Sequence, residues 1–433
     1  MHSEIVPEKY LPDKDDLKLR FFFIGLIVFG VPVNLFANRF YDDDWTVGEW
    51  LISYAGGFVR RGLPGEIIHS LAITFSISPI LLSWLISITS LLVLIALFFH
   101  FCGGSFNKSF LLSQVMILAP VSEDYLVRKD VFLVCLYGLS LLAIKAFRER
   151  KLGKILSLIT VNCFSIIAIL SHESYGIWAL PSLFFLSYLF ERSHWKYHWQ
   201  TLFSAILTLS PSLIAFLACW FFQGNAEQAM SIHQSWQGVG DILPSLGALD
   251  APQPTGAIAA IGWGAGNHIF SSTLLSQFNL LIFWHPGMWL LTIFLVMRLF
   301  IGPKKDSSQK AKRSIICFQL LAFAPLFLYV DIGRWIFMWL ASSALLYGFL
   351  INIYDLNSIL DNSLRFKGSS FLQKLVPGFC SNKRYNLILL WIGLPHCCWS
   401  VGRYIVSTPI GFAIKSVIFY VKTLFIPIAQ NFF

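Results

Sequence analysis

Five small charged clusters interrupt an otherwise apolar chain. They are Tyr41-Asp42-Asp43-Asp44-Trp45, Gly57-Phe58-Val59-Arg60-Arg61-Gly62, Ser122-Glu123-Asp124 with Arg128-Lys129-Asp130, Ser171-His172-Glu173-Ser174, and Asp331-Ile332-Gly333-Arg334-Trp335. Three adjacent carboxylates repel one another, so one of Asp42, Asp43 and Asp44 could take a proton near neutral pH and serve as a base. The same oxygens could hold a divalent cation, or form a solvated acidic collar. Arg60 and Arg61 sit among glycines (Gly56, Gly57, Gly62, Gly65) that permit tight turns and close ligand approach. Paired guanidinium groups match phosphate oxygens in a bidentate fork, so a pyrophosphate at a membrane surface suits this stretch. The alternative is a structural turn leading into a helix near Glu66. Phe58 and Trp45 could face lipid or a sugar ring.

The other clusters carry similar double readings. Pro120 is expected to end one helix and Ser122 to cap the next, with Glu123 and Asp124 complementing the helix N-terminus. Arg128 and Lys129 would then complete an ionic network or touch phosphate. His172 beside Glu173 at a membrane boundary is costly unless used or paired. His172 could accept a proton, and Glu173 could pair with an arginine. Asp331 and Arg334 are spaced to pair with each other, and Trp335 fits an interfacial aromatic belt. His233, His268 and His285 lack metal-binding spacing and read as loop histidines.

The elements that must position these groups are membrane helices. The chain has 433 residues, 56% of them hydrophobic and only 13% charged. Soluble domains carry about 25% charged residues, so the composition excludes an ordinary soluble domain. A span needs about 20 mostly apolar residues. Twelve hydrophobic segments are expected, at 21–38, 79–101, 109–120, 131–147, 155–170, 175–190, 201–222, 281–301, 314–330, 336–354, 386–402 and 410–428. The third and fifth are short for a full span. The reading is an all-α, polytopic membrane domain over 1–433. Within it, 1–20 is a cytoplasmic tail and 39–78 a first outer loop with a re-entrant or interfacial helix. Residues 223–280 form a long outer loop with short helices over the site, and 302–313 and 355–385 are cytoplasmic loops.

Orientation follows from the basic residues. With the N-terminus inside, 23 of the 32 Lys and Arg fall on the inner side and seven on the outer, as the positive-inside rule requires. Six of those seven exceptions lie in or beside the clusters, all five of which then share the outer face. The net charge of +9 is spread over short inter-span loops, which argues for orientation rather than nucleic acid. The cysteines lie mostly in apolar runs and act as small hydrophobes. The polar N-terminus lacks a cleavage site, so the first span is expected to remain as an anchor.

The pattern resembles bacterial multispanning glycosyltransferases that use polyprenyl-phosphate sugars (the GT-C fold), and the polymerases of O-antigen and capsule. In the former, acidic motifs follow the first span and lie between the third and fourth. Asp42–Asp44 and Glu123/Asp124 occupy those places here. The Gly-Phe-Val-Arg-Arg-Gly-Leu stretch after an Asp-Trp element is similar to sequences of surface-polysaccharide clusters. The resemblance implies a repeat-unit polymerase of the inner membrane, acting on undecaprenyl-(pyro)phosphate-linked glycans at the periplasmic face. Asp42, Asp43, Asp44, His172 and Glu173 would be catalytic. Arg60, Arg61, Glu123, Asp124, Arg128, Lys129, Asp331, Arg334 and Trp335 would bind substrate. A divalent cation could take part. Partners would be membrane lipid, the lipid-linked glycan and a chain-length regulator or other assembly protein. A lipid-linked-glycan transporter or flippase, and a membrane acyl- or phosphotransferase, are the competing readings.

Overall fold

The computed structural model describes residues 14–38, 45–102, 108–122, 125–191, 197–237, 239, 251–263, 317–326, 332–353, 387–394 and 401–430. Asp42, Asp43, Asp44, Glu123, Asp124 and Asp331 lie outside these residues. So do the expected span 281–301, His268, His285 and the 302–313 and 355–385 loops. The described residues form helices and no strand.

Among the described residues, five helices are long and apolar enough to cross a membrane. They belong to α1 (Lys14–Asn38), α4 (Pro79–Cys102), α6 (Asp130–Arg148), α7 (Lys154–Ser171) and α10 (His198–Phe221). The count of twelve is not reached by this measure. Segment 109–120 forms the 15-residue α5 (Lys108–Ser122). Segment 175–190 breaks into α8 (Ser174–Trp178) and α9 (Leu180–Glu191), where Pro181 removes a backbone donor. Segments 336–354 and 410–428 lie in α13 (Ile332–Ile353) and α15 (Pro409–Gln430), which follows the short α14 (Val401–Ser407).

Helix α6 is the hub. Two-thirds of its apolar window is buried, against 22–39% for the other four spans. It packs against α4, α7 and α13, while α10 lies outside α7 and α1 pairs with α5 and α15. Lipid has no hydrophobic advantage over leucine, so small residues govern how closely such helices approach. Gly138 of α6 meets Leu97 and Leu345, and Gly176 of α8 lies under the Phe216 ring.

Beside the bundle sits a second, smaller apolar cluster. It joins α2 (Thr46–Trp50), α3 (Gly62–Phe75), α11 (Ala226–Gln237) and α12 (Gly256–Ile261) through Trp50, Ile52, Val59, Ile68, Ile232, Trp236 and Ile258. Two indole hydrogen bonds fasten it: Trp236 Nε1 donates to Leu51 O at 2.6 Å, and Trp50 Nε1 donates to Val127 O. Gly65 lets α3 cross directly over the chain at Leu51–Ile52, because a Cβ there would collide with the Ile52 carbonyl. Backbone cannot yield as a side-chain tip can. Gly65→Ala should therefore cost about 1–3 kcal/mol, read as a lower thermal unfolding midpoint of the purified protein. An unchanged midpoint would contradict this packing.

Three local expectations are corrected here. Ser122 does not cap α6. Its hydroxyl donates back to Ala119 O and across to Ser407 O, and α6 begins after Lys129 without a side-chain cap. Pro120 lies inside α5 rather than ending it. Trp335 is not an interfacial belt residue. It is 95% buried, with its ring edge-on to His172.

Candidate functional site

The site lies at the end of the bundle where α6 begins and α7 finishes. Five chain segments converge there: α2, the turn before α3, the turn before α6, the α7–α8 junction and the start of α13. Their charged side chains form two tiers.

The inner tier is a closed ionic core. Arg334 makes a bidentate pair with Asp130, Nε to Oδ2 at 2.6 Å and Nη2 to Oδ1 at 2.8 Å. Glu49 Oε1 accepts from Arg128 Nη1 at 3.4 Å and lies 3.6 Å from Arg334 Nη1. These four side chains are at most 6% exposed. Burial alone would raise the Glu49 pKa. The guanidinium groups of Arg334 and Arg128 outweigh it and bring the carboxyl down to about 2. Glu49 is the member that the sequence reading missed. Asp331, the expected partner of Arg334, lies outside the described residues; within them Arg334 pairs with Asp130 and Glu49.

The outer tier is more open. Arg60, Arg61 and Glu173 side chains are 12%, 20% and 13% exposed. Glu173 Oε1 accepts from Arg60 Nη1 at 3.0 Å and from Arg61 Nη2 at 2.5 Å, while Oε2 accepts from Arg61 Nε at 2.8 Å. Burial opposes ionisation of Glu173, but Arg61 and Arg60 hold its carboxyl well below the usual range. His172 lies beside it, Nδ1 at 3.8 Å from Glu173 Oε2. That same nitrogen accepts the Ser174 backbone N–H at 3.2 Å, which leaves the ring proton on Nε2. Burial first, and Arg61 second, push the imidazole down to about 3, so His172 is neutral.

Lys129 joins the tiers. Its fully buried Nζ donates to Arg61 O and to Ser171 O, both at 3.1 Å, above the Trp50 ring. Burial lowers its pKa to about 7. The lysine thereby fastens the arginine turn to the end of α7. Arg61 itself has a left-handed backbone (φ 67°), a conformation that costs a bulky residue energy and that surrounding contacts must impose. Gly57 (φ 97°) makes the preceding turn. Arg60 is anchored by its backbone N–H to Phe222 O at 2.9 Å and by Nε to Gln223 O at 3.2 Å.

The structure thus gathers Arg60, Arg61, Arg128, Lys129, His172, Glu173, Arg334 and Trp335. With Glu49 and Asp130, the described members hold five cations and three carboxylates. Phe58 lies at the margin, stacked on Tyr54, and Trp45 lies edge-on to Trp263. His233 is buried on α11, its Nε2 2.8 Å from Ala251 O. Among the described residues no group of three His, Cys, Asp or Glu could hold a metal ion. Asp42–Asp44, which carried that expectation, lie outside them.

Residues 21–235, just under half of the chain, match the model of a family described as uncharacterised membrane protein Rv1490. The matched stretch includes every member of the cluster except Arg334 and Trp335. No curated protein and no solved structure matches. Taken with the five span-length apolar helices, the family match identifies the chain as an integral membrane protein.

Proposed function

We propose that the protein is an envelope glycosyltransferase of the repeat-unit polymerase type, acting on glycans carried on undecaprenyl (pyro)phosphate at the periplasmic face of the inner membrane. The observation that carries this reading is the excess of cations over carboxylates among the described residues at one end of the bundle, with the two most open cations, Arg60 and Arg61, side by side. Arg60 and Arg61 would hold the departing (pyro)phosphate, where preorganised charge helps most. Arg128, Lys129 and Arg334 would keep those two in place. A carboxylate would deprotonate the acceptor hydroxyl, supplied by Asp42–Asp44 or by Glu173.

Among the described residues, the five span-length helices carry Asp, Glu, Lys and Arg only within about two turns of their ends. A transporter of an anionic glycan should carry charges along a path through the spans, so this placement favours an enzyme over the flippase reading.

Arg60→Ala and Arg61→Ala should each reduce polymer formation about 100-fold, the usual loss when a preorganised donor to a developing oxyanion is removed. Polymer length in cells expressing abundant, folded variants is the readout. Chains of wild-type length from both variants would refute the proposal.

A further inference from the structure

Glu173 sits on the two arginines as an anionic ligand would. Arg61 presents Nε and Nη2 in parallel to the two carboxylate oxygens, and Arg60 adds a third contact to Oε1. A phosphate offers two oxygens in the same arrangement. The backbones of both arginines, and the Arg60 Nε, are held by groups other than Glu173. Lys129 holds the Arg61 carbonyl, and Phe222 and Gln223 hold Arg60. Glu173, by contrast, is attached by a rotatable side chain at the start of α8, directly after the extended backbone of His172. The inner tier is held by its own ion pairs and is at most 6% exposed, while the Arg60 and Arg61 side chains keep 12% and 20% exposure.

We propose that Glu173 is an internal stand-in for the substrate's diphosphate, displaced from Arg60 and Arg61 when a diphosphate binds and thereby released to act as a base. This rests on the reading that the site handles a lipid-linked (pyro)phosphate. While paired, the carboxylate is a poor proton acceptor. Once displaced it is an ordinary one. The acceptor hydroxyl then gives its proton to Glu173, and its oxygen forms the new bond to the anomeric carbon. The bond from that carbon to the diphosphate oxygen breaks, leaving its electron pair on the oxygen held by the arginines. Nothing is oxidised or reduced. Exchange would tie the arrival of donor to the arming of the base, and would spare the arginines an uncompensated wait.

The test is binding of inorganic pyrophosphate to the purified full chain in lipid nanodiscs, with glycosyl transfer measured in parallel. Glu173→Gln removes the competing charge while keeping the shape. It should bind pyrophosphate at least about tenfold tighter than wild type (each 1.4 kcal/mol being tenfold) and lose transfer. Glu173→Asp, too short to bridge both arginines, should bind with intermediate strength and serves if the glutamine variant fails to fold. Equal or weaker binding by the folded variants overturns the exchange, even where wild-type transfer is intact. Tighter binding with no transfer by wild type instead refutes the glycosyltransferase reading and leaves the exchange standing. Undecaprenyl pyrophosphate should displace the probe, and more phosphatidylglycerol in the disc should not. Displacement by phosphatidylglycerol overturns the assignment to a diphosphate.

Discussion

Glu49→Ala is expected to destabilise the protein by about 3–5 kcal/mol, the cost of leaving buried charges without their partner. Glu49 Oε1 is shared between Arg128 and Arg334, and all three side chains are at most 6% exposed. Removing it takes one carboxylate contact from Arg334 and one from Arg128 in a dry environment. Folded proteins are stable by only about 5–15 kcal/mol, so the loss is a large share of the whole. The same carboxylate gives a pH dependence. Its folded value is about 2 against an ordinary 4.5. A depressed acid stabilises the fold fully above its unfolded value and loses that contribution as pH falls through the folded one. The contribution of Glu49 should therefore be whole above about pH 4.5 and drain away towards pH 2. Denaturation of the purified protein, followed by tryptophan fluorescence, measures both effects. A change below about 1 kcal/mol would mean that the inner tier is not a closed ionic core.

The Asp130–Arg334 pair should behave with strong coupling. Asp130→Ala and Arg334→Ala should each cost about 3–5 kcal/mol, because each breaks a buried, bidentate ion pair from one side. Replacing both by leucine should cost less than either single change, since no charge is then left unpaired and the bundle keeps its volume. Arg334→Lys should not rescue Arg334→Ala fully, because an ammonium cannot reproduce the Nε/Nη2 fork onto Asp130. A double-mutant cycle isolates the pairwise energy. Additive single-mutant losses would show that the two side chains act independently.

These partnerships also mark how far the amino-acid order could be read. Arg60, Arg61, Arg128, Lys129, His172, Glu173 and Arg334 stood out because charge is costly near a membrane and the rest of the chain avoids it. Their gathering at one end followed from counting apolar segments between them. Which acid meets which arginine did not follow, because Asp130 and Arg334 are 204 positions apart and Arg61 and Glu173 are 112 apart. Glu49 went unremarked beside the louder Asp42–Asp44 triplet. Its signal was a lone carboxylate within Val47-Gly48-Glu49-Trp50-Leu51-Ile52, an otherwise apolar run. Trp335 was misplaced because an aromatic next to a short hairpin has the same local context at an interface and in a core. Hydropathy found the long apolar helices; segment 109–120, already short for a full span, lies in the 15-residue α5, and 175–190 is interrupted at Ala179 near its start.

The most direct test of the central claim is a cryo-EM structure of the protein in nanodiscs with undecaprenyl pyrophosphate. Diphosphate density is expected within hydrogen-bonding distance, about 3 Å, of both the Arg60 and Arg61 guanidinium groups, with the Glu173 carboxylate turned away. Diphosphate density elsewhere, with Glu173 still bridging the two arginines, would contradict it.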